Sequence, residues 1–331
     1  MPIAVPSFAK INLGLKIGPL RSDGFHELRT IYQTIALHDV VRVDAQSGSG
    51  IEIRCNDPRV PLNESNTCYK IAERVLVKTQ AHGRVIIEID KRLPVQGGLG
   101  AASSNGVAAM LGLERALGVE LPTEERLHIA AEVGSDLPLF VVGGTVLGAG
   151  RGEEVWPLAD LPRMHLVVVT SSVGVSTPKA FARWDEMGAR GAELTGANPT
   201  GTMSESGQVV WPGENIFSQA ASASEPASGV PARGGDRAET PLLDLVRTGI
   251  ENDFERVVFP EYPELREVKA VLEREGARWA SLSGSGSTLY GVFASGEESQ
   301  AAAARMTAAG HAAMATTTLK RDEYWKSVAG G

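Results

Sequence analysis

The 331-residue sequence has few cysteines and no long apolar run. Its two cysteines, Cys55 and Cys68, fit neither a CxxC metal pair nor a disulfide framework, so we expect reduced, partly buried thiols. No apolar run approaches the roughly 18 residues of a membrane span. The first residues also lack a basic region followed by an apolar segment. We therefore expect a cytoplasmic protein that is neither exported nor inserted into a membrane.

Basic residues are also fewer than acidic ones, which gives a net charge of -8. That balance argues against a nucleic-acid binder held by bulk electrostatics, although a local cradle could still bind an anionic ligand. The remaining composition, with 43% hydrophobic and 22% charged residues, is ordinary for a globular protein. The length is sufficient for two domains, each with its own core.

Strand and helix patterns are mixed without strict alternation, which favours an α+β fold over a doubly wound sheet. The predicted strands are 11–17, 29–37, 40–44, 51–54, 85–89, 143–149, 164–170, 279–283, 288–293 and 313–319. The predicted helices are 66–78, 103–117, 123–133 with Thr123 as N-cap, 178–187, 242–248, 262–274 and 298–308.

The pattern resets after Pro162, and this predicts two domains, 1–162 and 163–331. Residues 188–240 are rich in Gly, Ala, Ser, Glu and Pro. We expect this insertion in the second domain to be partly disordered, with little role in chemistry.

The segment 93–105, Leu-Pro-Val-Gln-Gly-Gly-Leu-Gly-Ala-Ala-Ser-Ser-Asn, separates a predicted strand from a predicted helix. Its glycines permit close approach of a ligand, and N–H groups of the loop and the helix start can converge on an anion. Ser103 and Ser104 could cap the helix, contact phosphate oxygens or reach a magnesium ion. The segment matches neither G-x-x-x-x-G-K-[ST] nor G-x-G-x-x-G, so a plain glycine-rich turn is an equal alternative.

Five further residues could carry chemistry, each with a structural alternative. Lys10 and Asn12 share one face of a strand, where an inward lysine requires an anionic partner, but a solvated lysine is the usual case. Phe25 could stack on a flat ring and His26 could hydrogen-bond to its edge, or both could belong to an ordinary loop. Asp136 could cap the next element or act as general base for a substrate hydroxyl.

A second Gly/Ser loop, Leu282-Ser-Gly-Ser-Gly-Ser287, lies between two predicted strands. A hairpin turn is the simplest interpretation. Both Gly/Ser loops could serve one phosphate-rich ligand, provided that they are adjacent in space.

Taken together, segments 6–14, 94–105 and 282–287 resemble those of the GHMP kinase superfamily, which consists of ATP-dependent kinases of small molecules. The resemblance implies a two-domain α+β fold. Its N-terminal domain would be like domain 2 of ribosomal protein S5, and its C-terminal domain would be ferredoxin-like. Within the superfamily the chain is most similar to the 4-diphosphocytidyl-2-C-methyl-D-erythritol kinase family, through segments 9–13, 21–26, 134–138, 176–178 and 252–255.

That family phosphorylates the 2-hydroxyl of its substrate with ATP, in the non-mevalonate route to isoprenoid precursors. The resemblance implies that Asp136 takes the hydroxyl proton, while Lys10 keeps Asp136 ionised and stabilises the oxygen nucleophile. It implies Mg²⁺ beside ATP, with Ser104 as the protein contact. Cytosine would be recognised by Phe25 through stacking and by His26 through a hydrogen bond.

The remaining implied site residues fall into two sets. The ATP phosphate site comprises Pro94, Val95, Gln96, Gly97, Gly98, Leu99, Gly100, Ala101, Ala102, Ser103 and Ser104. The substrate pocket also contains Asn12, Lys91 and Thr177.

Two departures from the family pattern bear on this site. Ala101 and Ala102 replace glycines, and we expect both in ordinary backbone regions, because alanine is strained at positive φ. Phe25 stands where a tyrosine is frequent, so stacking is kept while a hydroxyl contact is lost.

Two alternatives remain beside the cytidyl-substrate kinase. Another GHMP kinase, of homoserine or mevalonate type, is disfavoured by Phe25 and His26, because those substrates carry no base. A non-catalytic ligand-binding member of the fold is disfavoured by the presence of both Lys10 and Asp136. We expect a small-molecule substrate, no nucleic-acid or membrane partner, and a monomer or homodimer.

Overall fold

A six-stranded sheet is formed by the first half of the chain, in a computed structural model that describes residues 1–95, 97–195, 202–203, 209–210 and 251–330. Its strands are β1 (Ile3–Leu20), β2 (His26–Gln46), β3 (Gly50–Cys55), β4 (Arg84–Asp90), β5 (Thr145–Ala149) and β6 (Glu154–Pro157). The order is β3-β4-β2-β5-β6, with β1 also paired to β2. Every pair is antiparallel except β3 with β4.

Four helices accompany this sheet: α1 (Thr67–Thr79), α2 (Ala101–Leu117), α3 (Thr123–Val133) and α4 (Leu137–Val142). The helix α2 is the central one, because all its residues from Ser104 to Glu114 are buried. Its apolar side chains share one core with strand residues such as Val43 and Ile87. This burial on every side fixes the N-terminal end of α2, where the glycine-rich segment ends.

The second half of the chain forms a four-stranded antiparallel sheet of order β10-β11-β7-β12. In chain order its elements are β7 (His165–Thr170), α5 (Thr177–Thr195), a short pair β8 (Thr202–Met203) and β9 (Val209–Val210), α6 (Glu255–Glu261), α7 (Pro263–Arg274), β10 (Trp279–Leu282), β11 (Leu289–Phe293), α8 (Gly296–Ala308) and β12 (Ala312–Thr317). The four strands of the sheet and the helices that connect them follow a βαββαβ order. This is the ferredoxin-like arrangement that the resemblance implies.

The last helix, α9 (Arg321–Ala329), returns to the first sheet. Its Tyr324 and Val328 belong to the same core as Val5 and Phe140. The Tyr324 hydroxyl donates a hydrogen bond to the carbonyl oxygen of Phe140 at 2.7 Å. A division of the chain after residue 162 therefore separates α9 from the core that it joins, and that division stays a prediction.

The strands differ from the predicted ones in four respects. The strand β1 spans Ile3–Leu20 rather than 11–17, because it pairs with β2 along nearly its whole length. The short strands β8 and β9 lie within the insertion 188–240, where no strand was predicted. The predicted strands 29–37 and 40–44 form the single strand β2, because its pairing passes from β5 at one end to β4 at the other. The four-residue strand β6 was not predicted. None of the described helices is long and apolar enough to cross a membrane.

The helices differ at their ends. The helix α2 begins at Ala101 rather than Ser103, with Gly100 as an N-cap that has no side-chain cap bond. The N-cap of α3 is Pro122, so Thr123 is its first helical residue instead. The helix α5 continues to Thr195, into the predicted excursion, and the predicted helix 242–248 lies outside the described residues. The helices α4 and α6, each of seven residues or fewer, and the nine-residue α9 were not predicted.

Candidate active site

The glycine-rich segment adopts a backbone that only glycine permits at two positions. Gly98 and Gly100 have φ of +79° and +66°, in the left-handed region. A Cβ at Gly98 would also overlap the carbonyl oxygen of Ser283. Gly97 has no positive φ, but a Cβ there would lie 2.9 Å from Oγ1 of Thr288, which is too close. Space as well as conformation thus requires these glycines.

The segment leads directly into the N-terminus of α2. Ala101 and Ala102 are helical, which confirms that neither needs a positive φ. Both residues and Ser103 line a cavity of about 380 Å³. The first N–H groups of a helix have no intrahelical acceptor, so they are available to an anion there. Gln96 lies outside the described residues.

The two serines at the start of α2 have different surroundings. Ser103 lines the cavity, whereas Ser104 is 2% exposed and does not line it. The Ser104 Oγ lies 2.8 Å from Oγ of Ser7, which in turn donates to Oδ1 of Asn105 at 2.6 Å. A direct contact of Ser104 with a metal ion in the cavity therefore does not fit this placement. In the described part of the chain, no group of three or more His, Cys, Asp or Glu side chains could hold a metal.

The second Gly/Ser loop connects β10 to β11 as a hairpin and also contacts the first loop. The Ser283 hydroxyl donates to the carbonyl oxygen of Gly98 at 2.9 Å, and the Thr288 N–H donates to that of Gly97 at 3.1 Å. The adjacency that a shared ligand requires is therefore present. The hairpin interpretation is confirmed, and a phosphate-rich ligand shared by the two loops stays a prediction.

Lys10 lies buried beside this junction, and the solvated-lysine alternative is wrong. Its side chain is 3% exposed, and its Nζ lies 3.5 Å from Oδ2 of Asp136. The Lys10 ammonium donates to Oδ1 of Asn12 at 2.7 Å, and the Asn12 amide donates to Oγ1 of Thr30 at 2.8 Å. The backbone N–H of Lys10 donates to the carbonyl oxygen of Leu99 at 3.0 Å, which ties the lysine to the glycine-rich segment 94–104, called the cradle below. The buried cation thus has the anionic partner that burial requires.

Asp136 precedes α4 at the N-cap position, but its carboxylate makes no cap hydrogen bond, so the capping alternative is wrong. Instead its Oδ1 accepts a hydrogen bond from the Tyr32 hydroxyl at 3.1 Å. Burial, and then the charge of Asp136, raise the pKa of Tyr32 well above its ordinary value. The phenol therefore stays a donor. Sequence reasoning missed Tyr32, because its position in β2 is indistinguishable from those of the core residues around it.

Two cavities meet at this carboxylate. The smaller one, already described, lies beside the cradle and residues 59–67. The larger one has a volume of about 600 Å³, and its lining includes Lys10, Asn12, Phe25, His26, Tyr32, Asp136, Thr177 and Phe181. Gly98 and Asp136 line both cavities. A ligand in each would therefore place its end next to the same carboxylate.

The far end of the larger cavity is aromatic. Phe25 is 52% exposed there, and the His26 ring stacks on Phe181 with centroids 5.2 Å apart and an interplanar angle of 2°. The Nδ1 of His26 donates to the carbonyl oxygen of Gly18 at 2.9 Å. Its Nε2 lies 3.0 Å from Oδ1 of Asp185 but forms no hydrogen bond within the described residues. Phe181 was missed, although its place four residues after Thr177 on a predicted helix was a usable signal.

Of the two remaining expected substrate residues, only one lines the larger cavity. Thr177 lines the larger cavity, with its Oγ1 2.7 Å from Oγ of Ser285. Lys91 does not line it. The Lys91 ammonium donates to Oδ2 of Asp39 and to the carbonyl oxygen of Leu93, each at 2.7 Å, beside the smaller cavity. The fully buried Asp39 carboxylate needs this cation, and that explains the placement.

Comparison with known proteins agrees with this geometry. Residues 66–144 match the GHMP kinases N terminal domain, and residues 239–312 match the GHMP kinases C terminal domain. The 4-diphosphocytidyl-2-C-methyl-D-erythritol kinase of Acaryochloris marina is 33% identical over 91% of this chain and 90% of its own length. The chain belongs to this GHMP kinase family.

A further relative and two solved structures extend the match. The kinase of the same description from Moorella thermoacetica is 34% identical over 96% of this chain and 99% of its own length. A crystal structure of 4-(cytidine 5'-diphospho)-2C-methyl-D-erythritol kinase superposes with a TM-score of 0.69 at 27% identity, covering 96% of this chain and 99% of that one. A homoserine kinase from Cytophaga hutchinsonii, at 18% identity and a TM-score of 0.66 over 96% and 95% of the chains, shares the fold. The expected α+β fold of the GHMP kinases is confirmed.

Proposed function

We propose that this GHMP kinase transfers the γ-phosphoryl group of ATP to the 2-hydroxyl of 4-diphosphocytidyl-2-C-methyl-D-erythritol, in the non-mevalonate route to isoprenoid precursors. The observation that carries the proposal is the meeting of the two cavities at Asp136. The phosphate cradle opens on one side of this carboxylate, and a cavity with a buried lysine and an aromatic end opens on the other. This is the layout that a transfer between a nucleotide and a base-containing acceptor requires.

Asp136 is the general base in this proposal. Its carboxylate accepts the proton of the 2-hydroxyl while the hydroxyl oxygen forms a bond to the γ-phosphorus and the bond to the leaving ADP oxygen breaks. The Tyr32 hydroxyl fixes Oδ1 of the carboxylate. The Lys10 ammonium, 3.5 Å from Oδ2, pairs with the carboxylate and offsets the charge that grows on the attacking oxygen.

The cradle holds the phosphates of ATP, which supplies the phosphoryl group when bound. Gly98 and Gly100 line the smaller cavity together with the first residues of α2, whose N–H groups have no intrahelical acceptor. Such fixed donors stabilise the charge on the transferring group without reorganisation. Any Mg²⁺ would be carried by the nucleotide's own phosphate oxygens, since Ser104 faces away from the cavity.

The aromatic end of the larger cavity would hold the cytosine. Phe25 and Phe181 offer ring faces for stacking. The Nε2 of His26, which forms no hydrogen bond to the described residues, offers a partner for the edge of the base. Asn12 and Thr177 would contact the rest of the substrate. Cytoplasmic location, the absence of a nucleic-acid partner and a monomeric or homodimeric state stay predictions.

A phosphotransfer assay tests the proposal. The purified chain is given ATP and MgCl₂ with the cytidyl substrate, homoserine or mevalonate, and ADP release is followed together with the ³¹P spectrum of the product. We expect turnover with the cytidyl substrate alone. Turnover of homoserine or mevalonate without it would assign another GHMP kinase activity. ATP binding without any turnover would favour the non-catalytic alternative.

The variant Asp136→Asn tests the role of the base. We expect kcat to fall by about 10²–10⁴-fold, because the amide cannot take the hydroxyl proton. Nucleotide affinity should stay at the wild-type value, because the cradle is unchanged. Asp322→Asn is the matched control, since Asp322 is exposed on α9 and pairs only with Lys326 among the described residues. Near-normal turnover of Asp136→Asn would refute the assignment.

A further inference from the structure

Permanent positive charge is scarce in the larger cavity. Among the described residues that line it, Lys10 and Arg151 alone carry such a charge. Lys10 is already engaged by Asp136 and Asn12. Arg151 has no assigned role, although the acceptor in the proposed function carries a diphosphate. The cavity therefore holds one cation that pairs with Glu153 through its Nε and has no role assigned toward the acceptor.

The backbone around Arg151 is held rigidly. The turn between β5 and β6 has glycines on both sides, Gly150 with φ +67° and Gly152 with φ +103°. The Leu28 N–H donates to the carbonyl oxygen of Gly150 at 2.6 Å, and the Gly150 N–H donates to Oε1 of Glu27 at 3.0 Å. These bonds to the start of β2 fix the turn, so the direction of the arginine is set before any ligand binds.

The side chain of Arg151 is held at one point and free at its tip. Glu153 accepts hydrogen bonds from the backbone N–H of Arg151 at 2.6 Å and from its Nε at 3.0 Å. Neither Nη atom has a hydrogen bond to the described residues. The guanidinium carbon lies 5.1 Å from the centre of the Phe25 ring. Two parallel donors are thus available next to the aromatic end of the cavity.

The turn also contacts the reacting end. A Cβ added at Gly152 would lie 2.5 Å from the Tyr32 hydroxyl, so the turn packs directly on that oxygen. The same hydroxyl donates to Asp136. The turn therefore lies between Phe25, which Arg151 contacts, and Tyr32 with Asp136, which Gly152 adjoins.

We propose that Arg151 binds the diphosphate of the acceptor through its Nη atoms. This inference rests on the proposed function, in which the diphosphate lies between the base and the reacting alcohol, as the turn lies between Phe25 and Tyr32. A guanidinium fork binds phosphate oxygens in pairs, which gives both strength and orientation. Arg151 is thus a specificity residue that selects a nucleoside diphosphate over a free alcohol or a nucleoside.

A simpler role would be to order the exposed Phe25 ring by a cation–π contact. The two roles predict that loss of Arg151 weakens the binding of different sets of ligands. Loss of a phosphate contact weakens only ligands with phosphates. Loss of ring order weakens every ligand that stacks on Phe25, whether or not it carries a phosphate.

Isothermal titration with cytidine and with cytidine 5′-diphosphate separates these roles, using wild type, Arg151→Gln and Arg151→Lys. We expect Arg151→Gln to lose about tenfold to a hundredfold in affinity for the diphosphate, and to bind cytidine like the wild type. Arg151→Lys should lose less, because it keeps the charge but not the fork. Equal weakening of both ligands, or no weakening, would overturn the proposal. Arg42→Gln, an exposed arginine on β2, is the matched control.

Steady-state kinetics keep this inference apart from the proposed function. With the cytidyl substrate, Arg151→Gln should raise KM by a factor similar to the loss in diphosphate affinity while kcat changes little. If the wild type has no kinase activity, the proposed function fails. If the wild type is active and Arg151→Gln keeps its KM, the inference about Arg151 fails.

Discussion

Gly98 shows at the residue scale how the cradle depends on a distant neighbour. Its positive φ alone would require only a local turn. The position where a Cβ would lie is, however, occupied by the backbone of Ser283, 185 residues further along the chain. The sequence identified the glycines as permissive residues. It could not show which of them also face another backbone, because that depends on tertiary contacts.

Gly98→Ala tests this dependence, with Gly118→Ala as control. Gly118 ends α2 with a similar φ of +69°, but a Cβ there meets nothing within 4 Å. We expect Gly118→Ala to lose about 1–2 kcal/mol of stability from backbone strain alone, with ATP affinity unchanged. Gly98→Ala should lose more and should also weaken ATP binding, because the loops must separate. Urea unfolding and nucleotide titration measure the two effects, and wild-type ATP affinity in Gly98→Ala would contradict this account.

Site residues that belong to short sequence motifs were predicted more accurately than those that depend on partners distant in sequence. Lys10, Asp136, Phe25 and His26 were predicted, because each belongs to a short motif whose spacing carries the resemblance. Lys91 differed because its partner, the buried Asp39, could not be identified without the fold.

At the scale of elements, the Asn252 side chain holds the hairpin loop between β10 and β11. Sequence reasoning noted this residue only as part of the family segment 252–255, without a role. The Asn252 amide donates to the carbonyl oxygens of Leu282 and Gly284, at 2.8 and 2.7 Å. A Cβ at Gly284 would lie 3.4 Å from Oδ1 of Asn12 and 3.6 Å from Nζ of Lys10. Asn252 therefore sets the distance between this loop and the proposed catalytic groups.

Asn252→Asp removes both donated hydrogen bonds and places a carboxylate against two carbonyl oxygens. We expect a loss of about 1–3 kcal/mol in the free energy of unfolding, together with a lower kcat. Asn63→Asp is the control. Among the described residues the Asn63 side chain uses its Oδ1 alone, as an acceptor for Ser65, and aspartate keeps that acceptor. Urea unfolding and the phosphotransfer assay report both quantities. Equal stability of the two variants would show that Asn252 does not hold the loop.

Element prediction succeeded where periodicity was long. The helices α1, α3, α7 and α8 were all predicted with ends within two residues of those observed. Short elements such as α4 and β6 were missed, because fewer than two turns or one side-chain alternation give no usable period. The start of α2 was also predicted to within two residues, although Gly100 precedes it without a side-chain cap. The C-terminal end of α5 was misplaced, because the helix runs on to Thr195. The nine-residue helix α9 was missed as well.

At the scale of the whole molecule, three tyrosines buried in the cores make the free energy of unfolding depend on pH. Tyr32 and Tyr324 lie in the core around the first sheet, and Tyr290 lies in the core that both sheets share. Burial raises the pKa of each phenol above its ordinary value, and the charge of Asp136 adds to this for Tyr32. All three hydroxyls donate hydrogen bonds, to Asp136, Phe140 and Asn12 respectively for Tyr32, Tyr324 and Tyr290.

The consequence is a loss of stability at alkaline pH. Unfolded phenols ionise near pH 10, while the folded ones stay protonated because their pKa is raised. The stabilising contribution is therefore fully present below about pH 10 and is lost as pH rises above it. Three such groups together lower the free energy of unfolding by up to about 4 kcal/mol per pH unit.

Tyr324→Phe isolates one of them, since lysines and other groups titrate equally in both proteins. The variant should be less stable at neutral pH, because the carbonyl of Phe140 loses its donor. Its deficit relative to wild type should then shrink by up to about 1.4 kcal/mol per pH unit above pH 10. Urea unfolding across this range measures the difference, and parallel slopes for the two proteins would mean that Tyr324 ionises in the folded state.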